Sequence, residues 1–262
     1  MKVESLAVWK KNSEHYSEAV LHAYVLDGER NRPAVVICPG GGYSYLSERE
    51  WEAVALQFTA AGFHAFVVEY TVSPDYYRQP LLDLSQAVSM IRENAENWYV
   101  DPDKIAVCGF SAGGHLAASL GVHWSTVGSE VNQPNALILC YPVITSGPFA
   151  HRGSFDALLG SNPTPEMLKE MSLEKQVNEN TPPTFIWHTV ADSVVPVENT
   201  LLFAQALQSY NIPFEMHIFP NGDHGLSLAT AETDDGVRGI HPHIASWITW
   251  CIEWLEELFE LN

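Results

Sequence analysis

Basic residues are scarce in this chain: 13 lysines and arginines stand against 32 aspartates and glutamates among 262 residues, a formal net charge of −19. So acidic a surface repels phosphate backbones and anionic lipid headgroups, which argues against nucleic acid or membrane as a partner. A neutral or cationic small molecule is easier to accommodate. Cysteine is sparse too: Cys38, Cys108, Cys140 and Cys251 show neither CxxC nor zinc-finger spacing, and the first three each end an apolar run, so they read as buried free thiols. No window approaches the roughly 18 apolar residues of a membrane span, and Met1 to Lys10 holds no unbroken apolar stretch of the kind that directs export. Cytoplasmic residence is the expectation. Internal repeats, charge blocks and low-complexity linkers are missing as well, which makes one domain over residues 1–262 the economical assignment.

What the chain has in quantity is short, apolar, β-rich runs, at residues 21–26, 34–38, 65–69, 105–108, 136–140, 184–189 and 214–219. Several are too continuously apolar for one solvated face, which is the pattern of parallel strands covered on both sides. Helical patterns alternate with them. Ser47-Glu48-Arg49-Glu50 opens one that runs to about Ala61 with Gly62 as its stop, and others are expected over 81–97, 112–120, 197–210 and 243–261. The alternation predicts an α/β fold with a mostly parallel central sheet of about eight strands and helices on both faces. It breaks once, at residues 142–183, where Gly, Pro, Ser and charged residues dominate and only 164–175 looks helical. An insertion of that size between two strands is expected to form a short cap over their carboxyl ends.

The most informative stretch is Gly109-Phe110-Ser111-Ala112-Gly113-Gly114, directly after the apolar run Ile105 to Cys108 and before a small-residue, helix-compatible run. Gly-x-Ser-x-Gly between a strand and a helix is a tight turn that exposes a serine hydroxyl, with glycines where side chains would clash. A serine hydroxyl is a poor nucleophile at neutral pH and needs a base, usually a histidine oriented by a carboxylate. His224 sits in the Gly-flanked loop Asn221-Gly222-Asp223-His224-Gly225 after the run 214–219, and Asp192 follows the run 184–189. The order Ser111, Asp192, His224 is that of α/β-hydrolases and differs from the chymotrypsin-like and subtilisin-like orders. Asp223, adjacent to His224 in sequence, and Glu198 are weaker candidates for the carboxylate. Acyl transfer also needs donors for an oxyanion. Pro39-Gly40-Gly41-Gly42-Tyr43, at the end of the run 34–38, supplies them through Gly41 and Gly42, with Ala112 as the third N–H. The loop lacks the GK[ST] of a P-loop and the spacing of GxGxxG.

Eleven histidines are present, but no HExxH or other compact ligand pattern occurs, so no metal is expected. His115 is expected to pack under the serine turn, and His22, His64, His188 and His217, in or beside strands, read as structural. Tyr43, Tyr45 and Trp124 are candidates to line a sugar-sized pocket. Trp247, Trp250, Trp254 and Leu255 in the last helix are core or interface, so homo-oligomerisation stays open.

Taken together, the glycine loop after the early strand, the Gly109 to His115 motif, Asp192 and His224 resemble the α/β-hydrolase superfamily. The chain looks most like its esterase-lipase branch of acetylesterases and acetyl-xylan-esterase-like proteins. The likeness spans nearly the whole chain, and the Asp101-Pro102-Asp103-Lys104-Ile105 approach is typical of that branch. One departure is Pro39, where many relatives carry a histidine. The resemblance implies Ser111 as nucleophile, His224 as base and then acid, and Asp192 as its orienting group, acting without a cofactor. Its implied substrate is a small-molecule ester such as an acetylated oligosaccharide. An amidase or peptidase of arylformamidase-like type on the same frame is the alternative within enzymes. A catalytically silent binding protein is the alternative outside them, and its expected signature, a lost triad member, is not seen.

Overall fold

The computed structural model describes residues 1–73 and 77–261, so residues 74–76 and 262 of the expected single domain lie outside the described residues. Strands β1 (Lys2–Ala7), β2 (Val20–Val25), β3 (Arg32–Cys38), β4 (His64–Glu69), β5 (Val100–Phe110), β6 (Ala136–Cys140), β7 (Thr184–Thr189) and β8 (Phe214–Phe219) form one sheet. Its order is β1-β2-β4-β3-β5-β6-β7-β8. The pairs β1–β2 and β2–β4 are antiparallel, and every later pair is parallel. Seven of these strands coincide with the apolar runs. The eighth, β1, is a solvated edge strand whose residues are exposed or half-buried, so no apolar run announces it.

Alternate side chains of the parallel strands feed two cores, one on each face. Val36, Val107, Leu139 and Ile186 pack under α2 (Gln79–Glu93), α4 (Ala112–Val127) and α7 (Glu198–Ser209). Their neighbours Ile37, Cys108, Ile138 and Trp187 pack under α1 (Glu52–Ala60) and α9 (Trp247–Leu258). Strands buried on both faces are mostly apolar on both, with buried polar exceptions such as His188 on β7, which is why these runs lack strict alternation. All four cysteines are free and buried. Trp247 belongs to the core, stacked on Trp187 with ring centroids 5.4 Å apart.

Several expected helices are divided. Residues 47–61 make a 3-10 turn at Glu48–Glu50 before α1, and Ser47 forms no side-chain cap. Glu50 does not reach back to cap the helix because its carboxylate is drawn into the core, where it accepts from Gly40 N–H at 2.7 Å and Tyr141 Oη–H at 2.6 Å. The expected helix over 81–97 becomes α2 and the short α3 (Ala95–Trp98), broken at Asn94. Helix α4 runs beyond 120 to Val127, and 243–261 resolves into α8 (Pro242–Ala245) and α9. Within 142–183 the chain forms α5 (Arg152–Leu159), which was not anticipated, then α6 (Pro165–Glu170) and a 3-10 turn at Leu173–Lys175. Thr164 caps α6 by accepting from Met167 N–H.

The chain leaves β3 toward β4 on one side and returns to β5 on the other, so β3 and β5 flank a topological switch point. In open α/β sheets the crevice outside the carboxyl ends of the strands at such a point is where ligands bind. Cys38 pairs with Gly109 at those ends, which brings the glycine loop and the serine turn side by side.

Candidate active site

Ser111 sits between β5 and α4 with φ 53° and ψ −116°, a left-handed conformation for a residue with a Cβ. Strain of this kind costs on the order of 1–3 kcal/mol and persists only where the surroundings enforce it. They do so here through backbone hydrogen bonds: Ser111 N–H donates to Cys140 C=O at 3.0 Å, and Ser111 C=O accepts from Val143 N–H at 3.0 Å and His115 N–H at 3.1 Å. The flanking glycines make the turn possible. A Cβ on Gly109 would stand 2.1 Å from Gly113 O, and one on Gly113 would stand 2.1 Å from Cys38 O.

Loops after β7 and β8 bring the other two groups to this turn. Ser111 Oγ lies 2.7 Å from His224 Nε2, and His224 Nδ1 lies 2.6 Å from Asp192 Oδ2. A carboxylate only accepts, so Nδ1 carries the ring proton and Nε2 presents a lone pair to the Ser111 hydroxyl. Two arginines fasten the histidine loop: Arg238 Nε donates to His224 C=O at 2.7 Å, and Arg49 Nη1 donates to Gly225 C=O at 2.9 Å. The Tyr141 ring meets the imidazole edge to face at 5.2 Å.

Asp192 does two jobs with its two oxygens. Oδ1 accepts from the N–H groups of Val194 and Val195, each at 2.9 Å, and so closes its own turn. Oδ2 holds His224 and also lies 3.2 Å from Nε2 of His188. That nitrogen is 2.9 Å from the Val195 carbonyl, which only accepts, so it must carry the proton and donate to both. Burial by itself would raise the Asp192 pKa, but hydrogen bonds from His188 and His224 outweigh it and hold the carboxyl well below its usual range. His188 was expected to be structural; it is a buried strand residue that directly contacts the candidate carboxylate. Its spacing gave one usable signal, since residues 188 and 192 flank the tight turn that follows β7.

Gly41, Gly42, Ser111 and His224 share a cleft of about 530 Å³. Among the described residues the N–H groups of Gly41 and Gly42 donate to no protein acceptor, and Ala112, the first residue of α4, has an N–H with no helical partner. The loop is tied down one residue earlier, by the Gly40 N–H to Glu50 bond. Glu50 continues through Tyr141, whose hydroxyl accepts from Ser227 N–H at 2.9 Å, into the loop that carries His224. One buried network therefore braces the glycine loop, the turn after β6 and the histidine loop, and its members Glu50, Tyr141 and Ser227 escaped the sequence reasoning.

Of the three aromatic candidates, only Tyr45 lines the cleft, where it is 62% exposed. Tyr43 is a correction: it is buried beneath the loop because its hydroxyl pairs with His115 Nδ1 at 2.8 Å. Trp124 is the other. It lies 12 residues beyond Ala112 on α4, roughly 18 Å along the helix at about 1.5 Å per residue. His115 packs under the turn as expected, its Nε2 donating to Met171 C=O at 2.9 Å, and burial lowers its pKa to about 4. Asp223 lines the cleft without meeting His224 Nδ1, and Glu198 opens α7. The segment 142–183 contributes His151 and Gly153 to the cleft wall. A second cavity of about 460 Å³, beside Tyr16, Glu69 and Gln79, holds none of these groups. No cluster of metal-ligating side chains occurs among the described residues.

Comparison with known proteins agrees with this architecture. Residues 23–139 match the family described as BD-FAE. The acetyl ester-xyloside bifunctional hydrolase of Caldicellulosiruptor lactoaceticus superposes with a TM-score of 0.89 at 38% identity, covering 98% of this chain and 96% of that one. The chain belongs to the α/β-hydrolase superfamily. Endo-1,4-β-xylanase B of Butyrivibrio fibrisolvens is 43% identical over 248 residues, which is 88% of this α/β-hydrolase and 39% of the xylanase. The acetylxylan esterase of Xylanibacter ruminicola is 32% identical over 203 residues, 75% of this chain and 42% of that protein. The chain thus spans about two fifths of the length of these two curated relatives. Among its described residues no helix is long and apolar enough to cross a membrane.

Proposed function

We propose that this α/β-hydrolase is a serine esterase that removes small acyl groups, acetyl above all, from hydroxylated alcohols such as oligosaccharides. The observation that carries the proposal is the unbroken hydrogen-bonded line from Ser111 Oγ through His224 to Asp192, opening on a cleft beside free backbone donors. His224 Nε2 takes the Ser111 proton as Oγ attacks the ester carbonyl, while Asp192 stabilises the resulting imidazolium without taking its proton. The N–H groups of Gly41, Gly42 and Ala112 receive the oxyanion; a single donor of this kind is worth about 10²–10³ in kcat. His224 then protonates the departing alcohol. Water, activated by the same nitrogen, cleaves the acyl-enzyme and regenerates Ser111. No step calls on a cofactor. Residues 1–262 act as one domain in this proposal, with 142–183 supplying one wall of the cleft. Its likeness to the Xylanibacter acetylxylan esterase and the Caldicellulosiruptor acetyl ester-xyloside hydrolase supports acetylated xylo-oligosaccharides as the substrate class.

The test is hydrolysis of p-nitrophenyl acetate and its longer-chain homologues by wild type and Ser111→Ala. The variant is expected to lose on the order of 10³-fold or more in kcat. Equal rates would sink the nucleophile assignment, and preference for a long acyl chain would overturn the small-acyl assignment. Faster turnover of aminoacyl anilides or formylkynurenine than of acetyl esters would move the enzyme to the amidases.

A further inference from the structure

Among the polar groups of the cleft that have no task in this mechanism is the imidazole of His151, at the N-terminus of α5. Its Nδ1 lies 2.8 Å from Ser154 Oγ. Ser154 is 1% exposed, and among the described residues its hydroxyl meets no other partner. If Nδ1 carried the ring proton, the Ser154 hydroxyl proton would be buried without an acceptor, an arrangement folded proteins avoid. Ser154 therefore donates to Nδ1, and the ring proton sits on Nε2. That Nε2–H has no protein acceptor among the described residues, and the ring lines the same cleft as Ser111 and His224. Burial, and next the nearby His224, depress the His151 pKa, which keeps the ring neutral at neutral pH.

What this donor meets follows from the parts of the substrate. An acetyl methyl accepts no hydrogen bond. The carbonyl oxygen is served by the backbone donors of Gly41, Gly42 and Ala112, and the leaving oxygen by His224. Only the rest of the alcohol is left. A cleft of about 530 Å³ is far larger than a two-carbon acyl group requires, so most of its space belongs to that alcohol.

We propose that His151 Nε2–H donates to a hydroxyl oxygen on the alcohol part of the substrate, so that His151 selects polyol esters, in which a free hydroxyl neighbours the ester. The proposal rests on the esterase function proposed above. It also gives the segment 142–183 a purpose: placing a specificity residue at the cleft.

The test compares acetate release from a mono-acetylated methyl xyloside and from cyclohexyl acetate, a ring of the same size without hydroxyls, by wild type, His151→Phe and His151→Gln. In His151→Phe the ratio of kcat/KM for the xyloside to that for cyclohexyl acetate is expected to fall about tenfold, the worth of one neutral hydrogen bond. Most of the change should lie in KM, because the contact exists in ground and transition states alike. His151→Gln, which keeps an N–H donor, is expected to recover part of the ratio. An unchanged ratio in His151→Phe, or an equal loss on both esters, would overturn the proposal while leaving the esterase function intact. Absence of Ser111-dependent turnover of either ester by the wild type would overturn that function instead.

Discussion

Replacing Asp192 by asparagine changes little in volume but reverses the polarity of one half of the side chain, and the surrounding donors determine the consequence. Oδ1 accepts from two backbone N–H groups, of Val194 and Val195, while Oδ2 accepts from His224 Nδ1 and from His188 Nε2. An asparagine can keep an acceptor on only one side. If its oxygen faces His224, its amide N–H₂ confronts two fixed backbone donors; if its oxygen faces the backbone, the amide confronts His188 Nε2–H, which the Val195 carbonyl holds in place. The second orientation opposes fewer immovable donors, so it is the one expected. It presents an N–H to His224 Nδ1, which must then give up its proton and accept. The proton moves to Nε2, the atom that has to receive the Ser111 proton, and the base is lost. We expect kcat to fall about 10³–10⁴-fold, with KM much less affected, as for a triad forced into the wrong tautomer. The unmatched donors should also cost about 1–3 kcal/mol of stability. Steady-state kinetics on p-nitrophenyl acetate, alongside urea unfolding, measures both. An asparagine variant within tenfold of wild type in kcat would refute the assignment of Asp192 and the tautomer argument with it.

The same carboxylate makes stability depend on pH. Its native pKa lies below the unfolded value of about 3.9, so its contribution is present above about pH 4 and is lost as the pH falls toward the native value. The melting-temperature gap between wild type and Asp192→Asn should therefore narrow below about pH 4, and a gap independent of pH would contradict the shift. Tyr141→Phe removes the donor to Glu50 Oε1 and the acceptor of Ser227 N–H, at about 1–3 kcal/mol for each buried group left unpaired. Urea unfolding should register the loss, and a change under about 0.5 kcal/mol would mean water replaces the hydroxyl. Gly113→Ala places a Cβ 2.1 Å from Cys38 O and 2.5 Å from Pro39 O, both backbone atoms at the root of the glycine loop. The overpacking is expected to cost about 1–3 kcal/mol and to lower kcat, and an alanine variant with wild-type melting temperature and kcat would show that the loop is not so tightly held.

Seven strands and the positions of the main helices could be read from the chain because the physics that makes them is local. A strand covered on both faces is apolar at most positions, and a helix on such a sheet repeats its apolar residues at its own period. The serine turn was legible for the same reason: Gly109 and Gly113 answer to contacts a few residues away or on the adjoining strand. Where local pattern and tertiary demand conflicted, the local pattern misled. Ser47-x-x-Glu50 has the form of a helix cap, yet Glu50 is claimed by Gly40 and Tyr141, and the helix starts later. Tyr43 and Trp124 are near motif residues in sequence, but one is held by His115 and the other is carried away along α4.

By itself, then, the sequence determined the alternating architecture, the chain order of Ser111, Asp192 and His224, and the loops on which they stand. Chain order carries no distances. Only the tertiary structure decided that these three side chains meet at 2.7 Å and 2.6 Å, that His188 also bonds Asp192, and that His151 enters the cleft from a part of the insertion where the sequence showed no regular pattern. Those contacts join loops separated by many residues, and their partners are chosen by which strand ends the sheet brings together. A single histidine or glutamate in a chain bears no mark of the neighbour it will find there.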